Sequence, residues 1–213
     1  DGEAIVDSFN QWVAELERST RELRHLLADV SHELLTPLTV LEGNLRAILD
    51  DVYEMNKEEI SSLYDQTHQL IRLVRDLRQL AQAEARELSL TRDSTEMHNL
   101  IQEILSLFTP LADEKKVTLI YEGPHSLPFV AVDRGRIMQV MNNLLSNGLR
   151  HSPAGGTITI RATAQDHQLN VTVTDSGDGL DPEEISNIFD RFYRTDDTRR
   201  RDAGGTGLGL AIV

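Results

Sequence analysis

One heptad stripe constrains the first part of this chain more than any other feature. Val13, Leu16, Thr20, Leu23, Leu27, Val30 and Leu34 recur in alternating steps of three and four. That is the spacing of a helix that buries a narrow seam against a partner. With Val13, Thr20, Leu27 and Leu34 at a and Leu16, Leu23 and Val30 at d, His32 falls at f and points away from the seam. The next seam position is Pro37, and the apolar rhythm is expected to resume one step late at Leu38, Leu41, Leu45 and Ile48. A proline inside a helix removes a hydrogen bond and crowds the preceding turn, so a kink is expected there. An exposed histidine beside that break, in Ser31-His32-Glu33-Leu34-Leu35-Thr36-Pro37-Leu38, points to reactive chemistry on a helix surface.

Residues 5–50 accordingly read as one long helix, softened at Gly43, and polar residues 50–57 read as a turn. Asn56, with Glu59 three residues later, has the pattern of an N-cap and capping box. A second stripe follows in Ile60, Leu63, Thr67, Leu70, Val74, Leu77 and Ala81. Two such helices joined by a short turn make an antiparallel hairpin that leaves an apolar flank uncovered. Pairing two hairpins into a four-helix bundle resolves this, so a homodimer is expected.

Near Ser89 the periodicity changes. A helix is expected over 96–108, strands over 117–121 and 129–132, and a helix over 136–149. Residues 157–162 and 169–174 alternate with period two and read as antiparallel strands, polar on one face. The second half is therefore an α+β sandwich with a mixed, mainly antiparallel sheet.

Composition removes several classes. The 213 residues carry a formal charge of −14, which repels nucleic acid and anionic lipid. The absence of cysteine excludes disulfides and thiolate metal sites. No apolar run reaches the length needed to span a bilayer and no signal peptide is visible, so a soluble chain is expected. It begins in mid-helix and stops at Val213, and reads as a fragment of a longer protein.

Three glycine- and asparagine-rich stretches carry candidate chemistry. Asp175-Ser176-Gly177-Asp178-Gly179-Leu180 leaves a strand directly; its glycines permit close backbone approach, and Asp175 can accept from an amino group. An acidic surface turn is the alternative, while the ligand pattern of a calcium loop is missing. Gly204-Gly205-Thr206-Gly207-Leu208-Gly209-Leu210 frees several backbone N–H groups ahead of a helix start at Leu208, whose positive end suits phosphate. It is neither a Walker A loop nor a dinucleotide fingerprint, and a plain linker is the alternative. In Met141-Asn142-Asn143-Leu144-Leu145-Ser146-Asn147-Gly148, Asn143 and Asn147 share a helix face, with Arg150 close beyond. Such amides suit Mg²⁺ and phosphate oxygens, or they are simply solvated; asparagine is a poor helix former, so two on one face need a reason.

The order of these stretches resembles the two-component sensor histidine kinases. Ser-His-Glu-Leu-Leu-Thr-Pro, Asn-Leu-Leu-Ser-Asn, Asp-Ser-Gly-Asp-Gly, Ile188-Phe189-Asp190-Arg191-Phe192-Tyr193-Arg194 and Gly-Gly-Thr-Gly-Leu-Gly-Leu match the family's H, N, G1, F and G2 boxes in sequence. The resemblance implies three parts: the end of a HAMP-like signalling helix over 1–19, a dimerisation and phosphotransfer hairpin over 20–88, and a Bergerat-fold ATPase domain, C-terminally truncated, over 89–213. It implies that His32 is the phosphoacceptor, with Glu33 as base and Thr36 placing water for response-regulator dephosphorylation. Asp175 is expected on the adenine amino group, Asn147 on Mg²⁺ with Asn143 nearby, and Arg150 on phosphate. Gly177, Gly179, Arg194, Gly205, Thr206, Gly207, Leu208 and Gly209 complete the implied ATP site. The implied partners are a second copy and a response-regulator receiver domain. The implied location is the cytoplasmic side of a membrane, reached through segments upstream of Asp1.

Two positions depart from the family pattern. His151 stands where an aromatic is usual and Gly148 where alanine is usual, and both are expected to loosen nucleotide packing. His25, His68, His98, His125 and His167 lack metal-ligand spacing, and Arg199, Arg200 and Arg201 read as part of a solvated ATP lid. A non-catalytic nucleotide-binding scaffold is the main rival reading; another Bergerat ATPase is disfavoured by the His32 hairpin.

Overall fold

The computed structural model describes residues 2–54, 56–84, 90–194 and 207–213, without side chains at 2–8, 10, 11, 15, 19, 22, 23, 25, 26 and 84. Two compact units divide the chain, Asp1–Arg78 and Gln79–Val213. The first is a helical hairpin of α1 (Gly2–Leu49) and α2 (Lys57–Glu84), whose last residues belong to the second unit.

α1 runs through both Gly43 and Pro37 as one helix. Around the proline, the hydroxyls of Ser31, Thr36 and Thr39 donate to the carbonyls of Leu27, His32 and Leu35 at 2.7, 3.0 and 2.8 Å. Such back-bonding lets polar side chains sit in mid-helix. Within the single chain, half-buried positions run Val30, Leu34, Pro37, Leu41, Asn44 and Ile48, whereas Leu38 and Leu45 of the late-resuming stripe are exposed. The Pro37 ring thus lies on the half-buried face, and Leu38 and Leu45 stay on an open flank.

On α2 the same duality appears. Leu63, Leu70 and Leu77 are half-buried and Leu73 is buried, while Ile60 and Val74 are each 53% exposed. Each helix thus has one covered stripe and one apolar flank left open.

The turn between them uses standard end chemistry. Val52 N–H donates to Ala47 O at 2.8 Å and Asp51 N–H to Ile48 O at 3.2 Å, with Asp51 left-handed at φ 55°. This is a Schellman closure on aspartate instead of glycine. Asn56 Oδ1 then accepts from Glu59 N at 2.8 Å and caps α2 as expected.

The second unit stacks two helices on a sheet. Its elements are β1 (Asp93–Glu96), α3 (Met97–Lys115), β2 (Thr118–Glu122), β3 (Phe129–Val132), α4 (Arg134–His151), β4 (Thr157–Gln165), β5 (Gln168–Asp175), the short α5 (Pro182–Ile185) and a 3₁₀ turn at Leu210–Ile212. The core forms where three periodicities meet: Leu100, Ile104, Phe108 and Ala112 on α3, Met141, Leu145 and Leu149 on α4, and Ile158, Ile160 and Ala162 on β4. β4 lies between β2 (parallel) and β5 (antiparallel), and β1 pairs with β3 (antiparallel) in a separate ribbon. A parallel pair needs a crossover, and α4 lies within the one from β2 to β4.

α3 extends past Pro110 to Lys115, beyond the expected end at Phe108, because Phe108 and Ala112 continue its buried stripe. β1, polar throughout, gives no alternation to read; its pairing with β3 and the burial of Thr95 define it.

The end of α4 is stitched to the start of β2. Lys115 Nζ donates to Leu149 O at 3.2 Å, Gly155 N–H to Lys116 O at 2.7 Å, and Thr118 N–H to Gly156 O at 2.9 Å.

At the other end of α4, Asp133 caps the helix. Its carboxylate accepts from Arg136 N and from the distant Thr91 N, both at 3.1 Å. These bonds favour the charged form and hold its carboxyl below the usual range. The resulting stability is present above the ordinary aspartate value near 4 and is lost as pH falls through the lowered folded value. Asp133→Ala is therefore expected to lower Tm by about 3–6 °C at pH 7. The gap from the unaltered protein should shrink in thermal scans below about pH 4.

Candidate functional site

His32 lies exposed on α1, its carbonyl held by the Thr36 hydroxyl at 3.0 Å. Glu33, the next residue, is half-buried and lies about 100° round the helix. Thr36 is exposed, and its hydroxyl proton is committed to the backbone. The hairpin thus presents one imidazole, one carboxylate and one hydroxyl within about a turn of helix.

A second group of candidates gathers on α4. Gly148 is buried, and a Cβ there would lie 3.1 Å from Ile158 Cδ1 and 3.5 Å from Asp175 Cβ. The tighter of the two is with the end of the Ile158 side chain on β4; Asp175, at the end of β5, stands at ordinary contact distance. Asp175 Oδ1 accepts from Gly177 N at 2.8 Å, an Asx turn that keeps Oδ2 as a further acceptor. Gly177 presses on the last residue of α4, since a Cβ on it would sit 3.0 Å from His151 O. Ser176 Oγ accepts from Thr157 N at 2.8 Å and anchors the same loop to β4. Gly179 has φ 79° with open space around it, so its glycine is required by backbone conformation alone.

The C-terminal glycine segment reaches α4 from elsewhere. Asn143 Nδ2 donates to Gly209 O at 2.9 Å. Leu208 is fully buried; its carbonyl accepts from Ile212 N at 3.1 Å, an α-type bond, and Val213 N donates to Leu210 O at 3.3 Å in the 3₁₀ turn over Leu210–Ile212, where a helix start was expected. Gly207, at φ 66°, accepts from Phe192 N at 3.0 Å. Phe192 is itself left-handed at φ 59°, and a Cβ on Gly207 would fall 2.8 Å from its backbone.

Two loops therefore grip α4 at different heights. One meets it at Asn143 and the other at Gly148 and His151, about 7–12 Å apart along the axis. Asn147, half-buried, lies between them, and Arg150 is exposed on the final turn. Asp175, Asn143, Asn147, Arg150, Gly177, Gly207, Leu208 and Gly209 are all brought to or beside this helix. Gly205, Thr206 and Arg199–Arg201 lie outside the described residues, and Arg194 is half-buried at the edge of the description. Sequence reasoning gave no role to the Phe192–Gly207 junction.

Among the described residues no three His, Cys, Asp or Glu side chains converge as a metal cage, and no helix is long and apolar enough to cross a membrane.

Known proteins match both units. A His Kinase A (phospho-acceptor) domain model matches residues 22–86, and a histidine kinase-, DNA gyrase B- and HSP90-like ATPase model matches residues 132–213. The chain is 37% identical over 208 residues to the signal transduction histidine-protein kinase BaeS of Escherichia coli, covering 98% of this chain and 44% of that protein. It is 36% identical over 207 residues to the sensor histidine kinase WalK of Bacillus subtilis, covering 94% and 34%. The chain thus spans less than half the length of these curated relatives. Among solved structures, the Acinetobacter baumannii histidine kinase AdeS superposes with a TM-score of 0.73 at 31% identity, over 85% of this chain and 83% of that one. Full-length ShkA, in complex with AMPPNP, gives a TM-score of 0.62 at 26% identity, over 86% and 39%.

The glycine geometry separates conformation from close approach. Gly179→Ala is expected to cost about 1–2 kcal/mol, from a left-handed alanine alone. Gly207→Ala should cost about 3 kcal/mol or more, because it adds a backbone clash at Phe192. Urea unfolding of the two variants checks the order.

Proposed function

Because this chain belongs to the two-component sensor histidine kinases, we propose that it autophosphorylates His32 from ATP and passes the phosphoryl group to a response-regulator aspartate. ATP binding is implied by the ATPase family model over residues 132–213. One observation carries the reading: Asp175, Asn147 and the Gly207–Gly209 segment meet on α4, in a chain whose phospho-acceptor unit holds an exposed His32.

In this reading Asp175 Oδ2 accepts from the adenine amino group, while Gly177 and Gly179 let the backbone close over the base. The backbone at Gly205, Thr206, Gly207, Leu208 and Gly209, with Arg150 and Arg194, faces the phosphates. Mg²⁺ fits the donor set, since Asn147 offers one hard oxygen and the ion keeps waters and phosphate oxygens as its other ligands. When bound, the ion neutralises phosphate charge. The neutral imidazole of His32 attacks the γ-phosphorus, its other ring N–H held by Glu33, and ADP leaves. Such transfer asks the protein mainly for positioning and electrostatics.

Thr36, exposed one turn along from His32 and still able to accept through its hydroxyl oxygen, orients a water for dephosphorylation of the response regulator. A homodimer is supported by the open apolar flank of Leu38, Leu45, Ile60 and Val74. The division into a HAMP-like end over 1–19, a phosphotransfer hairpin over 20–88 and a catalytic domain from 89, with membrane attachment through upstream segments, completes the proposal.

Incubation with γ-labelled ATP tests it. Acid-labile, base-stable label is expected on the protein and should fall at least about 100-fold in His32→Gln. ATP binding with no label would instead favour a nucleotide-binding scaffold. Thr36→Ala is expected to slow regulator dephosphorylation more than autophosphorylation, and equal losses in the two assays would remove Thr36 from that role.

A further inference from the structure

Asn143 makes a bond that a side chain reserved for ligand would not need. Its Nδ2 donates to Gly209 O across 66 positions of sequence, with both residues half-buried. A carbonyl can only accept, so the amide nitrogen must face Gly209, and the orientation of this side chain is fixed by its partner. The neighbouring residues are anchored by different means. Gly207 O takes the Phe192 N–H, and the Leu208 side chain is sunk in the interior at 0% exposure. Gly209 has no side chain, so the amide of Asn143 supplies the hold at that residue.

We propose that Asn143 is a positioning residue: it acts through the Gly209 carbonyl to fix the Gly207–Gly209 backbone against α4, one turn before Asn147, and does not itself ligate the nucleotide's metal. The proposal rests on the ATP reading of this site. The physical need is clear. Glycine segments lose more freedom on ordering than any other residues, and backbone N–H donors bind phosphate well only when held in place beforehand. A single neutral hydrogen bond from a rigid helix supplies that order. Asn147, one turn further along, makes no such bond among the described residues and is left for the metal.

Two measurements separate the latch from the nucleotide reading. In hydrogen-exchange mass spectrometry of the nucleotide-free protein, Asn143→Ala is expected to speed exchange over residues 208–213 about tenfold. Core amides of β4 serve as the internal reference, and Asn147→Ala should leave 208–213 at the unaltered rate. Unchanged exchange in Asn143→Ala overturns the latch. If that variant does not fold, Asn143→Asp, isosteric but unable to donate, is read in the same way.

In ATP-binding titrations with and without Mg²⁺, Asn143→Ala should weaken binding about tenfold in both conditions. Asn147→Ala should weaken it only when Mg²⁺ is present. A loss in Asn143→Ala confined to the Mg²⁺ condition overturns the positioning role and makes Asn143 a metal ligand. If the unaltered protein binds no ATP in either condition, the ATP reading and the positioning role fail together, while the exchange result still decides the latch.

Discussion

The buried core shared by α3, α4 and β4 is what the rest of the second unit depends on. Met141, Leu145 and Leu149, four apart on α4, join Ile158, Ile160 and Ala162, two apart on β4, and Leu100 and Ile104 of α3 in one apolar cluster. Burial of such side chains contributes roughly 1.5–3 kcal/mol each, enough to fix the rotation of α4 about its own axis. Once that rotation is set, Asn143, Asn147 and Arg150 cannot choose another direction. The core thereby determines where the polar face points, and a helix that is structural on one side becomes chemical on the other.

Much of this was legible because the signals were periodic. Heptad spacing announced two long helices, period-two alternation announced β4 and β5, and ordered glycine and asparagine motifs announced the ATPase half. What escaped had no periodic trace. Asp93–Glu96 is a strand only because β3 lies beside it. At Pro37 the half-buried face of α1 continues through the proline ring, which a reading of proline as a break in the stripe does not anticipate. The meeting of Phe192 with Gly207 depends on two left-handed residues finding one another across the fold, which no local window encodes.

The hairpin unit works by a different economy. Its helices leave Leu38, Leu45, Ile60 and Val74 open, so much of its apolar surface is uncovered in a single chain. Hydroxyls at Ser31, Thr36 and Thr39 turn inward to the helix backbone around His32. Polar residues there are accommodated without disrupting the helix.

The Lys115 bond to Leu149 O and the two backbone bonds that tie Gly155 and Gly156, just past the end of α4, to Lys116 and Thr118 have a mechanical consequence. An axial slip of the helix by one residue, about 1.5 Å, would have to drag the loop that follows it against those two bonds. The helix therefore acts as an anvil. Any yielding to a molecule pressed against it must come from the loops that strike its exposed side.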